Sequence, residues 1–413
     1  MVRLLYMVQF FEPEPAFKGL SFAKKLQAAG YEVEVLTGFP NYPGGKVYSG
    51  YRIRALKREV MDGIPVVRVP IYPSHDNSAV RRMMTYCSFA ASSLIYGLFR
   101  AGRADVIYVY HPPLTVSLAA MIVGAARRRP FVVDIQDLWP DTLAATGMVR
   151  SKRLLRWTDW LCRLVYRRAQ RIAVQSFGFK KQLIDRGVAA EKIDVILNWA
   201  DDRETTPKGV LDLAPFALEG RFNVIFAGTM GFAQGLDVIL EAAKLLLPIE
   251  PRVQFILVGS GVEVERLKRR IAAEGLTNVR QVSQVRRDLV IDALAGADVL
   301  LATLKPDPLF EITIPSKTQF YLAVGRPIVL SIKGDAARLV EASGAGLTVE
   351  PGDSKALAEA VLSLARMPPD ALTAMGRRGR EYYDRELSID FGMAKTVATI
   401  DHAIATWQRR GRR

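Results

Sequence analysis

A chain of 413 residues, half of them hydrophobic, is too long and too apolar for a disordered tail or a disulfide-knotted miniprotein, and it suits two domains with separate cores. Its two cysteines, Cys87 and Cys162, stand far apart with no His or Cys at ligand spacing, which excludes a disulfide framework and a zinc site and fits a reducing compartment. The net charge of +15 is uneven: residues 1–200 hold 29 Lys and Arg against 15 Asp and Glu, the remainder 28 against 27, so the first half is where an anionic partner is expected.

Met1 is followed directly by a strand-like run with no charged leader ahead of a long apolar core, which predicts no secretory signal and a cytoplasmic location. Arg3 to Gln9 reads as a buried parallel strand, Gly19 opens a helix to Ala29, and Tyr31 to Leu36 is the next strand. In this βαβ unit Gly19 lies where chain and ligand can approach closely, but the GxGxxG pattern is missing, so dinucleotide binding loses support. Phe39 to Gly45 is a turn-rich loop, and two alternating runs around Asp62-Gly63 form a hairpin or strand pair.

Met83 to Phe99 is uncharged and bracketed by Arg81, Arg82, Arg100 and Arg103; at the lower edge of spanning length and diluted by serines, it reads as a helix lying in an interface or a long core helix. Arg150 to Arg171 places Leu154, Trp157, Leu161, Leu164 and Val165 near one helical face flanked by arginines, a pattern that favours an anionic membrane surface over a merely packed helix. Between them, strand Ala104 to Tyr110 ends at His111, and strand Phe131 to Ile135 ends at Gln136-Asp137-Leu138-Trp139-Pro140-Asp141. Ligands of open α/β sheets gather at such strand ends. Arg171 to Val174 and Lys192 to Leu197 supply the last strands of this half, and Asp201 to Gly220 reads as a linker.

Alternation resumes with strands at Phe222 to Ala227, Val253 to Val258, Asp298 to Leu304 and Ile328 to Ile332, separated by helical stretches. The fold class is therefore α/β, with two doubly wound Rossmann-like parallel-sheet domains, 1–203 and 204–387, and a last helix over 388–413, which the resemblance described below implies crosses back to the first. Gly228 to Gly235 follows a strand and precedes a helix, so its backbone amides are open to a diphosphate; Gly228, Thr229, Gly231 and Gln234 are the candidates there. Val258-Gly259-Ser260-Gly261 repeats the strand–glycine–helix pattern, and with the turn at Gln284 to Arg287 it adds Ser260 and Arg286 as candidates, whose nucleotide side is what the resemblance described below implies.

In Leu309 to Leu330 a Pro-broken loop delivers Glu311, and a helix begins near Pro315 and Ser316, with Ser316 read as its cap and Lys317 beside the open amides. Gln319 follows Glu311 with seven residues between, a carboxylate and a carboxamide suited to gripping hydroxyls. A departing diphosphate needs positive charge, and Lys317 is the candidate. No Asp-x-Asp occurs, which predicts metal independence, with no metal ligands and no cofactor beyond the co-substrate. Among the histidines at 75, 111 and 402, only His111 ends a strand of the first half; Asp137 is the better candidate for a general base or acceptor-orienting group.

Glu311, Pro315, Lys317, Gln319, Tyr321 and Gly325-Arg326-Pro327 resemble the Glu-x7-Glu region of retaining GT-B glycosyltransferases of family 4, with Gln319 standing where that family places its second Glu. Phe39-Pro40-Asn41-Tyr42-Pro43, Asp137-Leu138-Trp139-Pro140-Asp141 and Gly228 to Gly235 extend the likeness to the branch that contains fucosamine transferases of bacterial O-antigen and capsule assembly. Many family members have an Arg and a Lys in the glycine loop, where this chain has Thr229 and Gln234. The resemblance implies a UDP-sugar donor, a polyprenyl-diphosphate-linked saccharide acceptor, a peripheral position on the inner face of the cytoplasmic membrane, Glu311 near the donor sugar and Gln319 at the ribose. The alternatives are a UDP-sugar 2-epimerase of the same architecture, or a non-catalytic basic protein binding membrane or nucleic acid; the reading adopted includes no nucleic acid.

Overall fold

A computed structural model describes residues 1–74, 78–100, 104–145, 148–149, 151–200, 206–207, 209, 212–283 and 285–411. His75, Arg103, Arg150, Gln284, and residues 201–205, 208 and 210–211 of the expected linker lie outside them. The chain divides into two compact units, Met1–Ile196 with Met393–Arg413, and Leu197–Gly392.

The first unit runs β1 (Val2–Met7), α1 (Leu20–Ala28), β2 (Tyr31–Gly38), β3 (Lys57–Met61), β4 (Ile64–Val69), α2 (Ala79–Phe99), β5 (Val106–His111), α3 (Leu114–Arg127), β6 (Phe131–Ile135), α4 (Asp141–Ala145), α5 (Lys152–Arg168), β7 (Arg171–Val174), α6 (Phe177–Asp185) and β8 (Ile193–Val195). Its sheet order is β3-β4-β2-β1-β5-β6-β7-β8, parallel except for the β3–β4 hairpin. The inner strands are mostly buried apolar runs, with Arg68 in β4 and Asp134 in β6 as buried charges among them. The winding reverses between β1 and β5, the point at which strand ends of an open sheet splay and leave a crevice.

The second unit runs β9 (Phe222–Ala227), α7 (Asp237–Leu246), β10 (Val253–Val258), α8 (Val264–Ala273), β11 (Val279–Val282), α9 (Arg287–Ala295), β12 (Val299–Thr303), α10 (Pro308–Ile312), α11 (Ser316–Val324), β13 (Ile328–Ser331), α12 (Asp335–Ser343), β14 (Gly346–Thr348), α13 (Ser354–Ala365) and α14 (Pro369–Glu386). The order β11-β10-β9-β12-β13-β14 is all parallel and reverses between β9 and β12. The last helix, α15 (Ile389–Gly411), brings the chain back to the first unit, where Tyr31 donates to Asp401 at 2.6 Å and Thr399 to Asp194 at 3.0 Å.

Sequence periodicity misses several short elements: α6, β11, α12 and β14, each nine residues or fewer. It also leaves Glu311 on a loop, whereas Asp307 caps a one-turn helix that contains it. The uncharged run of α2 packs in the first unit through Thr85, Phe89, Ser93 and Tyr96, with Ile95 and Phe99 on its outer face. Among the described residues no helix is long and apolar enough to cross a membrane.

Beneath the first sheet's carboxyl edge lies a buried ion pair between Lys18 and Asp134. Tyr108 and Gln136 each donate to the same carboxylate at 2.6 Å, so its lone pairs are met. Removing one partner would leave a charge in the core, which costs far more than removing both. Asp134→Ala is expected to destabilise the first unit by about 3–5 kcal/mol in urea unfolding, and Lys18→Met with Asp134→Leu by clearly less. A smaller loss in the single variant than in the double would contradict this account.

Candidate functional site

At the second unit's switch point, β9 and β10 each end in a glycine turn, and backbone bonds join the two turns. Gly228 donates to the Val258 carbonyl at 2.9 Å, Met230 to that of Ser260 at 2.8 Å, and Glu263 to that of Met230 at 3.1 Å. No side chain fits between them: a Cβ on Gly259 would lie 2.0 Å from the Gly228 oxygen, and one on Gly261 2.3 Å from that of Met230. Both glycines also have positive φ, +139° and +152°. The loop is held at its far end where Thr303 donates to the Gln234 carbonyl at 2.6 Å and Lys305 to that of Ala233 at 2.9 Å.

Lys317 enters this loop from α11. Its ammonium donates to Gln234 Oε1 at 2.8 Å and lies 3.7 Å from the centre of the Phe226 ring, and a Cβ on Gly228 would come within 2.6 Å of its Cε. Helix α11 is fixed in this position by Tyr321, whose hydroxyl accepts from the Ala227 amide at 3.1 Å. Burial pushes the Lys317 amine down to about 7, because the charged form gives up hydration that one carboxamide and one ring restore only in part. An anion in the loop reverses that, so the site is built to be completed by negative charge.

The expected Ser316 cap is corrected: Pro315 holds the cap position, no side chain caps the helix, and Ser316 is its first helical residue. Pro lacks an amide, so at the cap it costs no hydrogen bond, and within the first turn the Thr318 amide donates to the Pro315 carbonyl at 2.9 Å. Gln319 is 1 % exposed, and neither its Oε1 nor its Nε2 has a hydrogen-bond partner among the described residues; the Thr318 hydroxyl is unpartnered too. Buried polar atoms left unmet carry a penalty of about 1–3 kcal/mol each, which sets Gln319 and Thr318 apart on this helix. Glu311 is exposed, with its backbone lying over Gly334, where a Cβ would meet the Glu311 oxygen at 1.9 Å.

Thr229 and Ser260 are exposed on the two turns, and Gly231 is partly buried between Thr229 and Gln234. Arg286 stands exposed at the start of α9, ion-paired with Asp288 at 3.0 Å. Gly19, His111 and Asp137 belong to the first unit. What approaches Gly19 is the Glu12 carboxylate, which accepts from the Leu20 amide at 2.8 Å and fills the place of a side chain. His111 is fully buried, its ring edge-on to Trp139 at 5.8 Å and neither nitrogen bonded to another residue among those described; burial lowers it to about 4, so it is neutral at pH 7. Burial raises the Asp137 carboxyl, which lies within electrostatic reach of Tyr86 and Tyr110.

Sequence reasoning misses Gly334, although the strand–Gly–helix pattern of Ile332-Lys333-Gly334-Asp335 repeats that at Gly228 and Gly259. It also misses Gln9 and Arg82, which line a cavity at the first unit's switch point. The α5 face needs revision: Thr158, Cys162, Val165 and Tyr166 are buried, while Leu154, Trp157 and Trp160 are exposed, the two tryptophans by 58 % and 57 %.

Residues 20–199 match the Glycosyl transferase 4-like domain and residues 221–367 the Glycosyl transferases group 1 domain. The chain is 26 % identical over 377 residues to WcaI of Escherichia coli (strain K12), a protein named for glycosyl transfer in colanic acid biosynthesis, covering 88 % of this chain and 90 % of that one. It is 27 % identical over 169 residues to the GDP-mannose-dependent monoacylated alpha-(1-6)-phosphatidylinositol monomannoside mannosyltransferase of Corynebacterium glutamicum, 38 % of this chain and 40 % of that one. The fold matches Anabaena HepE in complex with UDP at a TM-score of 0.68 and 17 % identity, over 97 % of this chain and all of that one. The two domain matches span most of the chain, each on one doubly wound unit, and the protein belongs to the GT-B glycosyltransferases of the family 4-like, group 1 type.

Proposed function

We propose that the protein transfers a sugar from a UDP-sugar to a polyprenyl-diphosphate-linked saccharide in bacterial surface polysaccharide assembly, with retention and without a metal. The observation that carries this reading is the half-desolvated Lys317 ammonium against the Gly228 to Gly235 loop, with the unmet Gln319 carboxamide on the same helix. The loop amides and Lys317 hold the diphosphate and accept its growing charge as the glycosidic bond breaks. Gln319 reaches the ribose diol, Glu311 steadies the donor sugar, and Thr229, Ser260 and Arg286 border the nucleotide. Asp137 and His111 face the acceptor; in retaining chemistry of this kind the departing phosphate itself takes the acceptor proton. Nearby Asp237 is tied to Arg266 and Arg270 at 2.9 and 2.7 Å, which leaves it poorly disposed to hold a cation.

WcaI supports the polysaccharide assignment, the corynebacterial enzyme a lipid-borne acceptor, and HepE a uridine nucleotide. Because the corynebacterial enzyme uses GDP-mannose, the donor assay includes both bases. The exposed Trp157 and Trp160 amid Arg153, Arg156 and Arg163 support docking on an anionic membrane, since indole rings settle at the interface while guanidinium groups meet headgroup phosphates.

Purified protein incubated with UDP- and GDP-sugars and a membrane extract should release UDP only when the extract is present, equally with and without EDTA; release without an acceptor, or loss on chelation, would count against the proposal. Lys317→Ala is expected to lower kcat about 10²–10³-fold. UDP affinity should fall as pH rises above about 7, by up to about tenfold per unit, because the free lysine then carries no proton and binding must recruit one; Lys317→Ala should abolish that slope. Trp157→Ala with Trp160→Ala should weaken sedimentation with phosphatidylglycerol vesicles by about tenfold, with no change in UDP affinity.

A further inference from the structure

The first unit's switch point holds a cavity of about 270 Å³ between the ends of β1 and β5 and the first turns of α2. That is just below the roughly 300–1,000 Å³ of drug-sized sites, and suits a single hexose. Its polar wall is unusual. Gln9 is 1 % exposed, lines the cavity, and has no hydrogen-bond partner among the described residues at either Oε1 or Nε2. Arg82, which lines it from the first turn of α2, has a buried Nε that is likewise unpartnered. Lys18, the other cation of the lining, is paired with Asp134, which leaves Arg82 as the lining cation without an ion pair among the described residues.

The remaining wall is aromatic. Phe10 and Tyr42 pack at 4.9 Å between ring centres, and Tyr86 and Tyr110 complete the lining. This wall is preorganised by Glu14, whose carboxylate accepts from the amides of Asn41 at 2.6 Å, Tyr42 at 2.7 Å and Phe11 at 3.2 Å. The Phe39-Pro40-Asn41-Tyr42-Pro43 segment thereby gains a physical role, since it clips the Tyr42 ring to the cavity edge. Ring faces for sugar C–H groups, a carboxamide for hydroxyls and a guanidinium for an oxyanion form a complementary set.

We propose that this cavity receives one sugar unit of the acceptor bearing a negative charge, a carboxylate or a phosphate, with Arg82 gripping the oxyanion and Gln9 the ring hydroxyls. The proposal rests on the acceptor half of the transferase reading. Asp137, the carboxyl within electrostatic reach of Tyr86 and Tyr110, is raised by burial, so its repulsion of an anion here weakens as pH falls. The two sources of charge, a uronic acid ring or the phosphate that joins sugar to lipid, share this chemistry and separate by experiment.

Saturation-transfer NMR on the full chain, with and without UDP, would compare methyl β-glucuronide, glucose 1-phosphate and the neutral methyl β-glucoside. At least one charged probe should bind about tenfold tighter than the glucoside, and whichever does identifies the source. Arg82→Ala should erase that preference, Arg82→Lys should keep part of it, and Gln9→Leu should weaken all three probes. Equal binding of the neutral probe, no binding of any probe, or a preference that survives Arg82→Ala in a variant of unchanged melting temperature would overturn the proposal. UDP binding, measured in parallel, reports on the second unit: its loss in the unaltered protein sinks the donor reading alone, and its persistence beside failed probes sinks this one alone.

Discussion

Two bare α-carbons set the geometry of the second unit. Because Gly228 and Gly259 lack side chains, the turns after β9 and β10 close to backbone contact, and the lysine stem from α11 slides over the first of them. A methyl group at either position would collide with a carbonyl or with Lys317 itself. What is proposed for the donor draws on that closeness: an ammonium with too little water, and a carboxamide, Gln234, that holds it in the meantime. In the proposed reading, Lys317 on a neighbouring helix takes the part of a cation in the loop. A lysine half discharged near neutral pH is a weak liability when the site is empty and a strong attractor when a diphosphate arrives.

Both units use the same topological device for different ends. Where the winding reverses, strand ends part, and the space falls beside β1 and β5 in one unit and β9 and β12 in the other. In the second unit glycines line the gap, and the binding proposed there is by backbone. In the first unit the gap is lined by Gln9, Arg82 and aromatic rings, and the binding proposed there is by side chains. A diphosphate suits main-chain amides, which are fixed and numerous; a saccharide, with many hydroxyls and two faces, suits a mixed wall.

The alternation of strands and helices is readable because buried parallel strands are continuous apolar runs, and the loops at Gly228 and Gly259 because glycine after such a run has few structural uses. What escapes is nonlocal or short. Lys18 and Asp134 are separated by 116 positions, and nothing near either announces the other. Strand β11, four residues with Arg280 and Gln281 at its middle, lies at the sheet edge where an apolar run is not required. The amphipathic pattern of α5 reveals two kinds of apolar residue but not which side the sheet claims, so it groups Val165 with the exposed face and leaves Trp160 out. Ser316 as a cap is off by one residue, within the usual scatter of helix ends.

The return of α15 to the first unit bears on how the protein is made. Asp401 and Thr399 complete hydrogen bonds to Tyr31 and Asp194, and Ile400 and Ala403 are fully buried, so part of that unit's packing is supplied by its final twenty or so residues. During synthesis the amino-terminal unit emerges first but waits, with this surface uncovered, until the second unit and α15 have been translated. A chain cut short ahead of α15 would carry the whole glycine-turn unit and a first unit with this surface open, a species exposed to proteolysis.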